Sequence, residues 1–158
     1  MVEVDQAMRV QANNDDDFWD DTVDVENTER MKEIVAEIGW PTVLKVGEEG
    51  AHHAWLLVQH ADLDVAFQEE CLALMKEAGE GEVSVTDIAY LEDRVRVNQG
   101  KGQLYGTQFT QENNQHIPRP IEDEEQVNER RAAIGMGPLS EQIALMNEKY
   151  PFDTHKEE

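Results

Sequence analysis

The sequence AHHAWLLVQHA, residues 51–61, decides the fold class. Its apolar residues cover most of the circumference of a helix, whereas a helix on a protein surface carries them along one stripe. A helix that is apolar on nearly all sides must be buried among other elements. This stretch therefore predicts a central helix, beginning near Glu48, in a mainly helical protein.

Amphipathic stretches on both sides of the central helix have the three- and four-residue apolar spacing of further helices. Several are preceded by a capping residue, such as Asp24, Asp62, Asp64 or Ser84, and the 24–38 stretch is followed by Gly39. The predicted helices cover about residues 2–12, 24–38, 48–61, 65–78, 84–100, 122–134 and 139–150. We expect one all-α domain, residues 1–151, of six or seven helices.

Four segments depart from the helical pattern. Residues 13–23 are predicted to form an acidic connecting segment, and residues 152–158 a frayed acidic tail. Residues 103–109, QLYGTQF, are expected to be a short extended or loop insertion, in which Gly106 allows a close approach of the backbone. A polar loop is predicted over residues 110–115.

Composition restricts the possible functions. The chain has 158 residues, the usual size of one domain, with 35 acidic and 13 basic residues and a formal net charge of -22. Such a charge argues against direct contact with nucleic-acid phosphates and against binding to an anionic membrane. No apolar run approaches the length of a membrane-spanning helix, and the start of the chain does not resemble a signal peptide. We therefore expect a soluble cytoplasmic protein.

The strong acidity has three explanations. A solvated acidic surface keeps a protein soluble, and it suits a salt-rich, possibly halophilic cytoplasm. Alternatively, the surface attracts a basic partner. A third explanation is mimicry of nucleic-acid charge, in which the chain competes for a DNA-binding protein.

His60 is the most informative single residue. It lies on the same arc of the central helix as Leu56 and Leu57, so its imidazole is expected to face packed neighbours. An imidazole there can act as a general acid or base when a carboxylate orients it, and Asp62 and Asp93 are the candidates for that role. The alternative is a buried histidine that hydrogen-bonds a backbone group and joins two helices.

The sequence offers little for metal binding, covalent catalysis or nucleotide binding. His53 and His60 lie about 10–11 Å apart along one helix face, too far to share a metal, and no cofactor is expected. Residues 13–24 match the spacing of a calcium loop, but Phe18 replaces the turn glycine and Asp24 the usual glutamate. Cys71 is the only cysteine and lies on an apolar helix face, so it is expected to be an inert core residue.

Polar residues on or beside apolar faces are the remaining candidates for a site. Those expected to carry chemistry are His60, Asp62, Asp93, Arg94 and Tyr105. Those expected to bind a ligand are Gln59, Gln68, Gln103, Thr107 and Gln108. Because buried polar groups must form hydrogen bonds, these residues could equally form a structural network.

Several motifs resemble an uncharacterised bacterial family, domain of unknown function 6624. The motifs are Asp5-Gln6-x-x-Arg9, Val23-Asp24-x-x-Asn27-Thr28, Ile38-Gly39-Trp40-Pro41-Thr42, Val46-Gly47-Glu48, residues 54–62 (AWLLVQHAD), Ala89-Tyr90-Leu91-x-Asp93-Arg94 and residues 103–108 (QLYGTQ). The resemblance implies a small, mainly helical protein and no established activity. It also favours the polar residues over the acidic segment as a functional region.

Two functions of different classes remain open. In the first, the chain is a binding or interaction module for a protein, a peptide or a small metabolite, and the polar network around His60 orders the fold. In the second, it is a small metal-independent hydrolase that uses His60 as general acid and base, with Tyr105 and Arg94 stabilising negative charge. An enzyme requires these groups to line an open cavity, whereas a binding module has them paired and closed off.

Overall fold

A computed structural model describes residues 1–12 and 21–151 of the chain. Over these residues it contains seven α-helices and one antiparallel pair of strands. The helices are α1 Val2–Ala12, α2 Asp21–Ile38, α3 Val43–Gln59, α4 Val65–Glu77, α5 Val85–Asn98, α6 Val127–Ala133 and α7 Leu139–Lys149. The strands are β1 Phe109–Glu112 and β2 Gln115–Pro118, and a short 3-10 helix over Glu124–Gln126 precedes α6. The prediction of a mainly α-helical fold is therefore confirmed.

The backbone groups into two compact units, Met1–Leu91 and Glu92–Glu158, and the boundary falls within α5. In the first unit, α3 contacts α1, α2 and α4. In the second, α7 contacts β2 and α6. None of the helices over the described residues combines the length and the apolar character needed to cross a membrane.

Helix α3 is central to the first unit, as its sequence predicts. Ala54, Leu57 and Val58 are buried, whereas His52 is exposed on the opposite side. The helix is interrupted at Gly47, whose φ of 77° and ψ of 170° are not helical. Because a side chain at this positive φ is disfavoured, glycine permits the chain to turn before the buried part of the helix begins.

Capping explains where two of the other helices begin. The Asp64 carboxylate accepts a hydrogen bond from the Phe67 N–H at 3.0 Å, and it also lies 2.7 Å from Lys32 Nζ. The Ser84 hydroxyl oxygen accepts one from the Asp87 N–H at 3.3 Å, as the predicted cap at Ser84 requires. Helix α2 begins at Asp21, three residues before the predicted cap at Asp24, so residues 21–23 are helical rather than part of a connection.

The prediction of a polar loop over residues 110–115 is wrong, because these residues belong to a β-hairpin. Phe109 pairs with Pro118 and Glu112 with Gln115. The turn between the strands is Asn113-Asn114, with φ values of 50° and 57°. Asn tolerates positive φ better than most residues, and two such residues in succession make the turn that suits a two-residue hairpin.

Helix α6 is shorter than the predicted helix over residues 122–134. Asp123 has a φ of 46°, which is incompatible with a helix, and the 3-10 turn follows it. The loop alternative predicted for residues 103–109 is confirmed, because strand structure begins only at the last of these residues, Phe109. Within that stretch, Gln103 forms an isolated parallel bridge with Ile121, and the rest is an ordered loop up to β1.

Candidate functional site

Asp93 organises the loop over residues 103–108, hereafter the QLYGTQ loop. Its side chain is fully buried on α5. Oδ1 accepts hydrogen bonds from the N–H groups of Leu104 at 2.8 Å and Tyr105 at 3.0 Å. Oδ2 accepts from the Thr107 N–H at 3.0 Å and from the Thr107 hydroxyl at 2.8 Å. Since a carboxylate has about four acceptor positions, these bonds use them all within the protein.

Burial is the largest influence on the pKa values of both Asp93 and Tyr105. Burial raises the pKa of its carboxyl group, and the hydrogen bonds from Thr107, Leu104 and Tyr105 act in the opposite direction. Burial also raises the pKa of Tyr105, and the nearby charges of Glu92 and Asp93 add to the effect. Because the Asp93 oxygens are already engaged by the loop, this carboxylate offers no acceptor position to a ligand.

The two glutamine side chains of the QLYGTQ loop are also engaged within the protein. Gln103 is fully buried; its Nε2 donates to the carbonyl oxygens of Gln108 at 2.9 Å and Arg119 at 2.8 Å, and its Oε1 accepts from the Gln108 N–H. The Gln108 side chain bridges Arg94 Nη1 at 3.3 Å and the Thr107 hydroxyl at 3.1 Å. These contacts bring five of the ten predicted site residues together with Asp93: Arg94, Gln103, Tyr105, Thr107 and Gln108.

Two arginines on α6 hold the carbonyl groups of the same loop. Arg130 Nε donates to the Leu104 carbonyl at 2.7 Å, and Arg131 Nη1 donates to the Tyr105 carbonyl at 2.7 Å. Arg131 is buried and also donates to the Gly137 carbonyl at 2.6 Å. Sequence reasoning did not single out either arginine, because α6 is rich in charged residues and no local pattern marks these two as partners of a distant loop.

His60, at the end of α3, pairs with Asp5 of α1. His60 Nδ1 lies 3.0 Å from Asp5 Oδ2, and Gln6 Nε2 donates to the same oxygen at 2.7 Å. The Asp5 side chain is 1% exposed and that of His60 is 14% exposed. This is the carboxylate–imidazole pair that the sequence analysis sought, but it assigned the carboxylate to Asp62 or Asp93. The motif containing Asp5 and Gln6 was the available signal for this contact.

Gln68 joins α4 to the end of α3. It is fully buried, and its Nε2 lies 3.1 Å from the Val58 carbonyl, 3.3 Å from the Gln59 carbonyl and 3.2 Å from Asp62 Oδ1. These carbonyls belong to the last turn of α3, where backbone acceptors have no partner within the helix. Gln68 therefore caps the carboxyl end of α3, and its amide group also binds Asp62.

Gln59 is the one predicted ligand residue with an unused buried atom. Its Nε2 lies 3.5 Å from the Tyr90 carbonyl, at the limit of a hydrogen bond, and its Oε1 has no donor among the described residues. A buried acceptor without a donor is costly, and a water molecule is the usual way to satisfy it.

The described residues contain no group of three or more His, Cys, Asp and Glu side chains placed to hold a metal ion. Most of the calcium-loop match, residues 13–20, lies outside the part of the chain that the structure describes, as does the predicted frayed tail.

Cys71 is fully buried, and this burial raises the pKa of its thiol to about 12. The thiol therefore lacks the thiolate character that a nucleophile requires.

The fold and its polar contacts define a small, mainly helical protein in which buried carboxylate, amide and guanidinium groups fix a loop and a helix end. The chain belongs to the family of unknown function DUF6624, whose family model matches residues 1–155. This match confirms the predicted resemblance to that family. No curated protein and no solved structure matches the chain.

Proposed function

We propose that this chain is a binding protein for a small molecule or a peptide, and that its conspicuous polar residues order the fold. The proposal rests on the hydrogen bonds of Asp93: the QLYGTQ loop occupies all four acceptor positions of its carboxylate. A general acid or base must reach a proton on the substrate. A fully buried carboxylate with these bonds lacks that access, and it fixes a loop instead.

Neighbouring side chains support the same conclusion. Gln103 is fully buried and bonded to the backbone at both ends of its amide, and Arg130 and Arg131 bind the carbonyls of the loop. Such a network is stabilising when every member is satisfied. Its purpose in a binding protein is to hold a rigid surface, because rigid surfaces lose less entropy on association.

The net charge of the chain restricts the classes of partner that it can bind and bears on the salt concentration in which it works. A net charge of -22 favours cationic ligands and disfavours direct contact with nucleic-acid phosphates or an anionic membrane. We place the protein in the cytoplasm, where the acidic surface would also serve in a salt-rich medium. A melting temperature that rises strongly between low and molar salt would support the salt-adapted role, and a flat response would remove it.

A ligand screen tests the proposal directly. The full chain is titrated with cationic, anionic and neutral metabolites and with short peptides, and binding is followed by its amide NMR signals. We expect saturable shifts with one class of compound and no conversion of that compound. Conversion by the wild-type chain that the variant His60→Gln abolishes without unfolding would overturn the proposal.

One observation favours hydrolysis as a second candidate function. The buried Asp5 carboxylate lies against Nδ1 of His60, an arrangement that orients an imidazole for general acid–base catalysis. The test is turnover of a panel of chromogenic esters and phosphate esters. Activity lost in His60→Gln and reduced in Asp5→Asn would support an enzyme, whereas lower stability without any activity would exclude it for that panel.

A further inference from the structure

A cleft in the first unit lies apart from the polar contacts described above. Its volume is about 350 Å³, within the range of small-molecule sites. It is bounded by the start and the middle of α3, by the loop before α5 and by the first turn of α5. The lining residues used below are Trp40, Glu48, His52, Trp55 and Asp87.

Aromatic rings form one part of the cleft lining. Trp40 is buried, and the rings of His52 and Trp55 lie with centroids 5.0 Å apart and planes inclined by 30°. A further ring, that of Tyr90, packs against Trp55 in a T-shaped arrangement, with a centroid distance of 6.1 Å and an interplanar angle of 89°. These contacts fix the Trp55 ring. Indole faces carry negative potential and attract cations, with Trp the strongest of the aromatic side chains.

Two carboxylates, those of Asp87 and Glu48, line the cleft. The Asp87 side chain is only 14% exposed, and its Oδ2 lies 3.2 Å from His52 Nδ1. Glu48 lies at the cleft as an exposed carboxylate. None of the described residues that line the cleft is Lys or Arg. A partly desolvated carboxylate beside indole rings is the combination that recognises an organic cation.

Two buried hydrogen-bond donors belong to residues that line the cleft. The indole N–H groups of Trp40 and Trp55 have no acceptor among the described residues. Buried Trp N–H groups usually find one. Both side chains line the cleft, and because an alkylammonium ion has no acceptor to offer, a water molecule is the partner that would satisfy these N–H groups.

We propose that this cleft binds a small organic cation, a protonated amine on an apolar stem, with the ammonium group at Asp87 and the stem against Trp40 and Trp55. The inference rests on the proposed binding function and names the class of ligand. The overall charge of the chain would raise the local concentration of such a cation.

The test uses butylammonium as the probe, with butanol and butyrate as neutral and anionic molecules of similar shape. Binding to the full chain is followed by the indole N–H signals of Trp40 and Trp55 in NMR spectra, assigned by Trp→Phe variants. Physiological salt suppresses weak attraction to the acidic surface. We expect saturable shifts with butylammonium, with a Kd on the order of 1 mM for so small a ligand. Butanol and butyrate should bind at least about tenfold more weakly, since each loses the charge interaction.

Two variants distinguish binding in the cleft from general attraction of the cation to the acidic surface. Asp87→Asn removes the carboxylate charge in the cleft and should weaken butylammonium binding about tenfold or more. Glu69→Gln makes the same change of charge at an exposed position on α4 outside the cleft, and binding should be unchanged. Equal weakening in both variants, or equal binding of butanol, would overturn the proposed cation site. Absence of butylammonium binding would overturn it too, whereas the wider ligand screen decides the proposed binding function independently.

Discussion

Asp93 holds Thr107 through two hydrogen bonds to one oxygen: Oδ2 accepts from the Thr107 N–H at 3.0 Å and from its hydroxyl at 2.8 Å. The other oxygen holds Leu104 and Tyr105. One buried side chain thus fixes three residues of the QLYGTQ loop. Backbone hydrogen bonds to residues 119–122 hold Gln103 and Gln108 at the two ends of the loop, and the Asp93 carboxylate holds residues between them.

Asp93→Asn should lower the free energy of unfolding by about 2–4 kcal/mol, because the amide NH₂ would face backbone donors and leave them unpaired. The measurement is urea denaturation. Glu129→Gln, at an exposed position of α6, should change the free energy by less than about 0.5 kcal/mol. Equal stability of Asp93→Asn and the wild-type chain would contradict the structural role of Asp93.

Gly106→Ala should destabilise the protein more than Gly100→Ala. Both glycines have positive φ, 71° and 74°, which costs an alanine about 1–2 kcal/mol. A Cβ at Gly106 would also lie 2.6 Å from Leu139 Cδ1, whereas one at Gly100 would meet no atom within 4 Å. Overlap of this kind adds about 1–3 kcal/mol. Thermal denaturation of the two variants checks the difference, and similar losses would show that Leu139 moves aside without cost.

His60 should carry its proton on Nδ1 when it is neutral, because the ionised Asp5 carboxylate can only accept a hydrogen bond. Nitrogen-15 NMR of the imidazole distinguishes the two tautomers. Asp5→Asn should lower the free energy of unfolding by about 1–3 kcal/mol, and Glu3→Gln, at an exposed position of the same helix, should have little effect. A neutral His60 protonated on Nε2 would contradict this hydrogen bond.

Cys71 should resist thiol reagents in the folded protein. Its side chain is fully buried, and burial raises its pKa to about 12, so little thiolate forms at pH 8. Labelling with a disulfide reagent should be slow in buffer and complete in urea. Rapid labelling of the folded chain would show that α4 opens readily or that the thiol is accessible.

Asp87 should titrate above the ordinary Asp value of about 3.9, because burial raises its pKa more than the contact with His52 lowers it. Because the pKa of Asp87 is higher in the folded protein than in the unfolded chain, the folded protein binds this proton more tightly. The contribution of Asp87 to the free energy of unfolding therefore decreases as the pH rises through the folded pKa. Carbon-13 NMR of the carboxyl group measures the midpoint. A midpoint at or below 3.9 would contradict the partial burial of Asp87.

The helices were predictable because helix formation is encoded locally. The spacing of apolar residues and the capping side chains of Asp64 and Ser84 lie within a few residues of the turns they stabilise. The first helix occupies the predicted residues 2–12. The hairpin was missed because its exposed strand residues are polar, and its turn depends on positive φ at Asn113 and Asn114.

The sequence by itself determined the mainly helical class, the buried central helix and a set of polar residues whose hydrogen-bonding groups need partners. Only the tertiary structure decided their partners: Asp5 for His60, 55 residues away, and the QLYGTQ loop for Asp93. It also brought Trp40, Trp55 and Asp87 to one cleft. The reason is that hydrogen-bond partners across a fold share no periodicity along the chain, so no local pattern identifies them.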